Sequence, residues 1–466
     1  MRTRDADWHR ARRIRADKGG PLWRGNRSQH RPLAQYSSPQ WTHHELETGG
    51  AIGLYANGLA VLRDIDNTLL DAVVAAGMPY ERRRWMRHDG TEIAVGDETK
   101  LVPSSSSMST PDSTVASAGL EHDARLHPIG IRRWKFQAAL FAHAKSLNIK
   151  VHFNKRLASL EHLPSGATRL HFTDSTTTTA KLLFGADGVK SQVRAFLFPD
   201  IAQPAYTGVT TLMAVARVPD TKLQRGIHFI SSRTSKFHAC MYPLPDNEVN
   251  VQIYLPMPEN PETWGKLNPD EMRSEAAAMA RKLRADGWSE TFVEPWLNPD
   301  SVIRVGLRAR APLEKWSEGK IVLLGDAAHP PVPYIGQGAM QAIEDAGVLA
   351  LLVKKLCVTS GPSAGASGKL NLDRFDQVKS LYEQIRVARC TQVLQNSHVL
   401  GEINQRRADS FLYNLQYEWS IWGQVFLYGN LPIMLQGVQY KYSDEVDKVV
   451  AGLDQENGGI PVQAKI

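Results

Sequence analysis

The most informative candidate for ligand chemistry in this sequence is an aspartate at the end of a short apolar run. Asp326 follows the run Lys320–Leu324, which has the composition of a buried strand. A carboxylate at a strand end can accept a hydrogen bond from a ribose or similar polyol hydroxyl. Gly336 and Gly338 follow a proline-stiffened turn and let backbone N–H groups approach a ligand at the start of the next helix. This order of strand, turn and helix predicts a ligand site at the carboxyl end of a parallel sheet.

Two further segments place polar groups beside a predicted turn or helix start. Asp187 and Gly188 can form a tight turn after a strand, although an Asp-Gly pair alone is most often an ordinary turn. Arg133 stands where a helix is predicted over Trp134–Leu147, so it could reach an anionic ligand or simply lie at the surface. The Asp187–Gly188 pair and Arg133 are therefore binding candidates, and the alternatives are an ordinary turn and a surface arginine.

His238 and Tyr242 are the candidates for contact with a reacting molecule. They lie four residues apart on a strand predicted over Phe237–Tyr242, which puts both side chains on one face. An imidazole and a phenol on one face could orient or deprotonate a phenolic substrate. Sheet packing is the alternative for both residues. His329 is interpreted as a group that stabilises its turn.

The segment Ile321–Ala346 resembles the second flavin motif of the class A flavoprotein monooxygenases, the family of salicylate hydroxylase and para-hydroxybenzoate hydroxylase. The shared pattern is Gly-Asp-Ala-Ala-His-Pro, then Pro, Gly-Gln-Gly and Glu-Asp-Ala. The resemblance implies that FAD is the cofactor and that Asp326 binds its ribityl chain. The pyrophosphate and the isoalloxazine edge would be contacted by Gly336, Gln337, Gly338 and Ala339, and the motif's Pro333 is a further cofactor-binding candidate.

Three other segments resemble the same family. The segment around Asp187 and Gly188 resembles its Asp-Gly motif, which implies flavin and pyridine-nucleotide binding. The segment around Arg133 resembles its Arg-x-x-Leu helix start, which implies that this arginine reaches the cofactor phosphates. Gly50 and Ala51 belong to a stretch that resembles the part of the family in which the chain passes the flavin.

The start of the chain departs from the family. Class A enzymes begin with a strand and a GxGxxG turn that holds the ADP pyrophosphate, and no GxGxxG occurs in this sequence. Residues 1–44 should hold that unit but show no apolar strand run and no helical period. An acidic residue for the ribose can be placed only by position, at Glu45. Either this segment has diverged or it comes from another reading frame or exon, and we expect weak FAD retention by the chain as written.

The resemblance implies an FAD-dependent monooxygenase. NADPH or NADH would reduce FAD, O2 would add to give a flavin C4a-hydroperoxide, and oxygen would pass to a small aromatic or otherwise electron-rich substrate. Two alternatives stay open. One is an oxidase or polyene epoxidase on the same fold, and the other is a flavin-fold remnant without catalytic activity.

Element patterns predict an α/β protein with discontinuous domains. Alternating β-branched runs between Gly208 and Leu255 predict an antiparallel sheet, and short strands are predicted at Lys150–Phe153, Thr168–Phe172 and Lys181–Phe184. Helices are predicted at Pro269–Asp286 and Gly338–Leu356, and polar segments predict surface loops at Pro103–Ser117, Thr173–Thr179 and Thr359–Gly368. The expected organisation is an atypical basic segment (1–44), a Rossmann-like FAD-binding domain whose N-terminal βαβ unit is degraded or missing (45–65, 125–200 and 300–400), an antiparallel-sheet substrate domain (66–124 and 201–299) and a helical C-terminal region (401–466).

Composition excludes several classes of partner. The net charge of +7 comes from residues 1–44, which hold ten basic and three acidic groups, while the remainder carries 45 of each. We therefore expect no nucleic-acid partner. Three widely spaced cysteines without a CxxC pair predict neither disulfides nor a metal site. Trp419–Tyr440 has no charged residue but contains amides and a proline, so we expect no membrane span and a cytoplasmic protein.

Overall fold

The computed structural model describes residues 50–101, 123–219, 226–359, 369–406 and 410–456. These residues belong to one compact unit, Thr48–Ile466. Glu45 and the loop predicted at Pro103–Ser117 lie outside the described residues, as does most of the loop predicted at Thr359–Gly368.

The secondary structure alternates between short strands and helices of very different lengths. The strands are β1 (Ala51–Leu54), β2 (Met78–Pro79), β3 (Arg82–Arg87), β4 (Glu92–Asp97), β5 (Ile129–Arg132), β6 (Leu157–His162), β7 (Thr168–Phe172), β8 (Thr177–Ala180), β9 (Leu183–Gly185), β10 (Ala205–Arg217), β11 (Ile227–Ser231), β12 (His238–Leu244), β13 (Glu248–Pro256), β14 (Gly265–Lys266), β15 (Pro299–Ala309), β16 (Ser317–Glu318), β17 (Ile321–Leu323), β18 (Val358–Thr359) and β19 (Lys369–Leu370). The helices are α1 (Ala56–Ile65), α2 (Asn67–Ala75), α3 (Arg133–Ser146), α4 (Gln192–Leu197), α5 (Pro269–Ala285), α6 (Glu290–Val293), α7 (Gly338–Cys357), α8 (Phe375–Arg406), α9 (Phe411–Tyr428), α10 (Pro432–Val438) and α11 (Tyr442–Glu456).

An eight-stranded sheet forms the largest layer, in the order β14-β15-β10-β13-β12-β11-β3-β4. Its neighbouring strands are antiparallel except for β11 and β3, which run parallel. Alternation along β12 explains its two faces: Ala239 and Met241 pack with the apolar side of α5, whereas His238 and Tyr242 point the other way. The sheet therefore has one face covered by a helix and one face available to a ligand.

A smaller parallel unit holds the motif segments. β17 pairs in parallel with β9, and α7 begins after the turn that follows β17. Ile321, Val322 and Leu323 are fully buried against α7 and α8, which is why this apolar run folds as a central strand. β1, β5 and β2 form a third sheet next to α1 and α3.

The helices predicted at Trp134–Leu147, Pro269–Asp286 and Gly338–Leu356 are confirmed, each within a residue or two. A capping box explains the sharp start of α5, since Asn268 and Glu271 bond each other's backbone. The strand predicted at Lys150–Phe153 is wrong, because that segment is irregular and exposed. The predicted loop at Thr173–Thr179 is wrong in its second half, where β8 pairs with β7.

The eight-stranded sheet takes one strand from the range that the sequence assigns to the FAD-binding domain. β15 lies in residues 300–400 for most of its length, yet it hydrogen-bonds along β10. No helix among the described residues combines the length and hydropathy that a bilayer crossing requires.

Candidate functional site

The two predicted binding turns lie side by side at the carboxyl ends of β9 and β17. Leu323 is paired with Gly185, and the Leu324 N–H donates to the Gly185 carbonyl at 2.9 Å. The chain leaves β17 through Gly325, whose φ of 55° is in the left-handed region that favours glycine. This geometry brings the turn at Asp187 next to the turn at Asp326.

Asp326 projects into an open space between these turns and α3. The residue is exposed to this space, yet desolvation by the nearby protein raises the pKa of its carboxyl group, while His329 and Arg133 act in the opposite direction. Arg133 also borders this space, and its guanidinium has no hydrogen bond or ion pair with a described residue. A free cation and a carboxylate thus face the same volume at the start of α3.

The glycine turn before α7 is shaped by close backbone approach. Gly336 has a φ of 66°, and a Cβ built there would lie 3.1 Å from the Tyr55 hydroxyl. Gln337 is buried, and its side-chain oxygen accepts a hydrogen bond from the Asn57 amide at 2.9 Å. The contact to Asn57 joins the turn to α1, so the position of Gly336 is set from two sides.

A buried network of charged side chains lies beneath both turns. Asp345 of α7 accepts the Gly325 N–H at 2.8 Å, bonds the His329 ring at 2.6 Å and accepts from Arg386 Nε at 2.7 Å. Arg386 of α8 also pairs with Glu344, which accepts from Arg389 at 3.0 Å. Each carboxylate therefore has cationic partners, as buried charges require.

The network favours the protonated form of the His329 ring. Burial of the ring lowers its pKa, but the Asp345 carboxylate outweighs that effect and raises the pKa to about 10. Burial likewise raises the pKa of Asp345, and the positive charges of His329 and Arg386 bring it below its ordinary value. The sequence predicts a turn-stabilising group here, and the structure ties the ring to Asp345, which also accepts the Gly325 N–H of the turn.

One cavity of about 620 Å³ connects these turns with the eight-stranded sheet. Ten of the residues that line this cavity are predicted from the sequence to bind the cofactor or the substrate. They are Ala51, Arg133, Gly188, His238, Tyr242, Asp326, Pro333, Gly336, Gly338 and Ala339.

The wall contributed by the sheet is aromatic. The His238 ring stacks on Tyr254 with centroids 4.7 Å apart, and Tyr334 lies 5.4 Å from His238 and 5.3 Å from Tyr254. Trp85 and Phe229 extend this wall along the neighbouring strands. The wall can therefore pack against a flat apolar molecule.

Tyr242 differs from the other tyrosines of this wall in its hydroxyl group. The side chain is 3% exposed, and the hydroxyl makes no hydrogen bond with a described residue. Burial raises the Tyr242 pKa well above 10, so the group stays a neutral phenol. A buried hydroxyl without a partner on a cavity wall is ready to donate to a ligand oxygen.

The remaining predicted residues lie beside the cavity or outside the described chain. Asp187 accepts from the N–H groups of Gln192 and Val193 at 2.7 and 3.2 Å, so its carboxylate caps α4. Gly50 begins the described chain, and its carbonyl accepts from the Arg133 N–H at 3.1 Å. Gln337 stands behind the glycine turn. Glu45 lies outside the described residues.

Sequence reasoning missed the residues that reach the site from distant segments. Arg386 binds both Asp345 and Glu344 from a helix more than forty residues further along the chain. Its local signal was a charged residue within an otherwise apolar stripe of α8, beside the buried Tyr382 and Cys390. Tyr55 and Tyr254 also line the cavity, and nothing in their own segments indicated that role.

Comparison with known proteins bears on this site. A family profile described as an FAD binding domain matches residues 66–368. The 3-amino-4-hydroxybenzoate 2-monooxygenase PtnB3 of Streptomyces platensis is 34% identical over 224 residues, which are 47% of this chain and 53% of that protein. The 6-hydroxynicotinate 3-monooxygenase of Bordetella bronchiseptica is 31% identical over 251 residues, which are 53% of this chain and 59% of that protein. The chain thus spans little more than half the length of these relatives.

Solved structures share the fold. The HpxO protein of Klebsiella pneumoniae, complexed with FAD and uric acid, superposes with a TM-score of 0.64 at 17% identity. The superposition covers 84% of this chain and 87% of that chain. At this level of identity the likeness shows that the two proteins share a fold.

Proposed function

We propose that this chain, which belongs to the FAD-binding-domain family of class A flavoprotein monooxygenases, uses NADPH or NADH and O2 to hydroxylate a small aromatic or other electron-rich molecule. The observation that supports this proposal best is the cavity that connects the two predicted binding turns with the aromatic wall of the sheet. The Tyr242 hydroxyl, buried and without a partner among the described residues, lies on that wall.

The residues present fit a flavin. Asp326 offers an acceptor for polyol hydroxyls, and Arg133, which pairs with no described residue, offers a cation for a phosphate. The N-terminus of α7 adds backbone N–H groups and the positive end of the helix dipole. Larger side chains would crowd the turn before α7: a Cβ at Gly336 would lie 3.1 Å from Tyr55, and a Cβ at Gly338 would lie 3.3 Å from Pro331. These four features support a role for this cradle in holding FAD.

Bound FAD would supply the redox chemistry and the activation of oxygen. The protein would bind, orient and desolvate the substrate. Since its pKa is raised well above 10, Tyr242 would donate a hydrogen bond from Oη to a substrate phenolate or carboxylate. That leaves His238, four residues away on the same face, as the group that could accept a phenolic proton.

The apolar part of the cavity would keep water from the reacting atoms. Trp85, Phe229, Leu431 and Met434 border it from three different elements. Exclusion of water strengthens the polar contacts that remain and suppresses side reactions of a reactive oxygen species. A substrate with one polar edge and an apolar ring fits this division of the cavity.

The test is turnover by the purified full-length chain supplied with FAD. The two relatives are named for a hydroxybenzoate and a hydroxynicotinate, so hydroxyarene carboxylates form the first substrate panel. We expect substrate-stimulated oxidation of NADPH or NADH, together with a product that carries one oxygen atom from isotopically labelled O2.

Other outcomes separate the alternatives. Hydrogen peroxide formed in equal amount to the cofactor oxidised, with no oxygenated product from any substrate, would indicate an oxidase. A protein that takes up no flavin at saturating FAD would be a remnant of the fold. Either result would overturn the proposal.

A further inference from the structure

Helix α9 carries a large apolar surface that faces away from the protein. Trp419 is 64% exposed and Phe426 is 74% exposed. The other exposed apolar side chains on the same side of the helix are Phe411, Leu412, Leu415, Trp422 and Leu427. Neighbouring aromatic rings are in contact: Trp419 and Trp422 have centroids 5.8 Å apart, and Trp422 stacks on Phe426 at 5.3 Å.

The outer face has the spacing of a helix-pairing seam. Leu412, Leu415, Trp419, Trp422 and Phe426 are separated by three, four, three and four residues. This alternation places the side chains along one stripe and is the pattern by which two helices interlock. The stripe extends through almost the whole helix, which is about 27 Å long.

The inner face fixes the helix so that the stripe cannot turn inward. Glu418 is buried and accepts hydrogen bonds from Arg87 at 2.7 Å and from Arg233 at 2.8 Å. Ile421 and Val425 pack with Trp85 and Ala94 of the eight-stranded sheet. Ser410 caps the start of α9, and Gly429, with a φ of 71°, ends it.

The exposed area is that of an interface. The four aromatic side chains of this face, Phe411, Trp419, Trp422 and Phe426, expose roughly 500 Å² in total, taking about 200 Å² for each when fully accessible. The leucines bring the patch close to the roughly 800 Å² that each partner buries in a standard protein–protein interface. A contiguous apolar patch of this size exceeds what most monomers expose.

We propose that α9 is the dimer interface of this protein and that its occupant is α9 of a second copy, packed antiparallel. A two-fold axis between Ser420 and Ile421, near the middle of the helix, places Trp419 opposite Trp422 of the partner subunit. It also places Leu415 opposite Phe426 of the partner subunit. The stripe is thus self-complementary about its own centre, as an isologous interface requires.

The charge pattern favours a second copy over a lipid surface. Glu418 is the sole charged residue between Phe411 and Tyr440, and it is turned inward. Helices that lie on membranes carry Lys and Arg around their apolar face, and α9 has neither. The exposed rim contains neutral side chains such as Gln416 and Ser420, which meet their own copies across a two-fold axis without repulsion.

Sedimentation equilibrium of the full-length chain tests the proposal. We expect a mass of two chains for the native protein and a single-chain mass for the double variant Trp419→Glu/Trp422→Glu. Loss of both tryptophans should weaken self-association at least about 100-fold. Leu297→Glu, at a half-exposed leucine away from α9, is the matched control and should remain dimeric. Unfolding temperatures of all three proteins show whether the variant still folds.

Cysteine pairs test the antiparallel arrangement. A mixture of Leu415→Cys and Phe426→Cys chains should form a disulfide-linked dimer on mild oxidation, and neither variant should do so alone. Linkage of each variant to itself would indicate a parallel pair and overturn the arrangement. A native chain that sediments as a monomer would overturn the interface itself. Flotation of that monomer with phosphatidylcholine–phosphatidylserine vesicles would then assign the face to a lipid surface.

Discussion

The hydroxyl of Tyr242 has a buried position that costs stability unless a ligand uses it. No described residue bonds this hydroxyl, and the side chain is almost fully buried on the cavity wall. Tyr242→Phe should therefore leave the unfolding temperature of the unliganded protein unchanged or raise it. The same change should lower the fraction of oxidised NADPH or NADH that yields product, while bound flavin stays constant.

Tyr382 offers a matched control for that variant. It is also fully buried, but its hydroxyl donates to the Leu323 carbonyl at 3.1 Å. Tyr382→Phe should cost about 1 kcal/mol of stability and leave the product yield per oxidised cofactor unchanged. If Tyr242→Phe instead loses stability and keeps its normal yield, Tyr242 serves sheet packing alone.

Asp326 should contribute strongly to flavin affinity. Its carboxylate faces the cavity beside the unpaired Arg133, so Asp326→Ala would leave a cofactor hydroxyl without its acceptor. Loss of one charged hydrogen bond costs roughly 1.5–3 kcal/mol, or about 10- to 150-fold in the dissociation constant. Titration of the flavin-free protein with FAD, monitored by flavin fluorescence, measures the dissociation constant. Asp200→Ala, at an exposed site, is the control, and an unchanged affinity in Asp326→Ala would remove this residue from the site.

Residues that act through their own local segment could be predicted from the sequence, and residues recruited from afar could not. Asp326, Gly336 and Gly338 belong to one contiguous pattern, and the structure places all three on the cavity. Asp187 belongs to an equally good pattern, yet its oxygens are used to cap α4. Arg386 enters the network only because α8 packs on α7, and helix packing is not written in a local spacing.

The buried network that joins α7 to α8 predicts a pH-dependent stability. The folded-state pKa of His329 is about 10, above the ordinary value of 6.5. A proton held more tightly in the folded state stabilises it fully below about pH 6.5, and this contribution is lost as the pH rises towards 10. We expect the free energy of unfolding of the native protein to fall across that range by an amount on the order of a few kcal/mol.

A histidine variant isolates this contribution. In His329→Gln the unfolding free energy, measured by urea denaturation between pH 6.5 and 9, should be lower at pH 6.5 and nearly independent of pH. The difference between native protein and variant should therefore shrink as the pH rises. A constant difference across the range would mean that the ring is not charged in the folded protein.

At the scale of elements, pairing with a neighbouring strand separates the strand predictions that are confirmed from the one that is wrong. The strands of the large sheet alternate in the sequence, and β10, β12 and β13 lie where that alternation predicts them. Residues 150–153 have a similar composition but pair with no strand among the described residues, so they stay irregular. Alternation predicts that a segment can form a strand, whereas pairing decides whether it does.

At the scale of the whole molecule, Gly130 allows a close contact between β5 and the eight-stranded sheet. Gly130 of β5 lies against the end of β12, and a Cβ built there would be 2.3 Å from the Pro243 carbonyl oxygen and 2.9 Å from the Tyr242 ring. β5 runs on into Arg133 at the start of α3. The absence of a side chain at Gly130 therefore lets the strand that leads to Arg133 approach the strand that carries Tyr242.

Gly130→Ala should separate these two strands. The methyl group overlaps backbone, which cannot move aside as a flexible side chain would, so the strand that carries Tyr242 must shift. Overpacking of this kind costs about 1–3 kcal/mol. We expect a lower unfolding temperature and a larger share of cofactor oxidation that ends in hydrogen peroxide.

The matched control for this change is Gly452→Ala in α11. A Cβ at Gly452 meets no atom within 4 Å, and alanine favours a helix by about 0.8–1 kcal/mol relative to glycine. This variant should be slightly more stable and fully coupled. A Gly130→Ala protein that loses stability but keeps normal coupling would show that the joint supports the fold without setting the geometry of the cavity, because the walls would then have moved together.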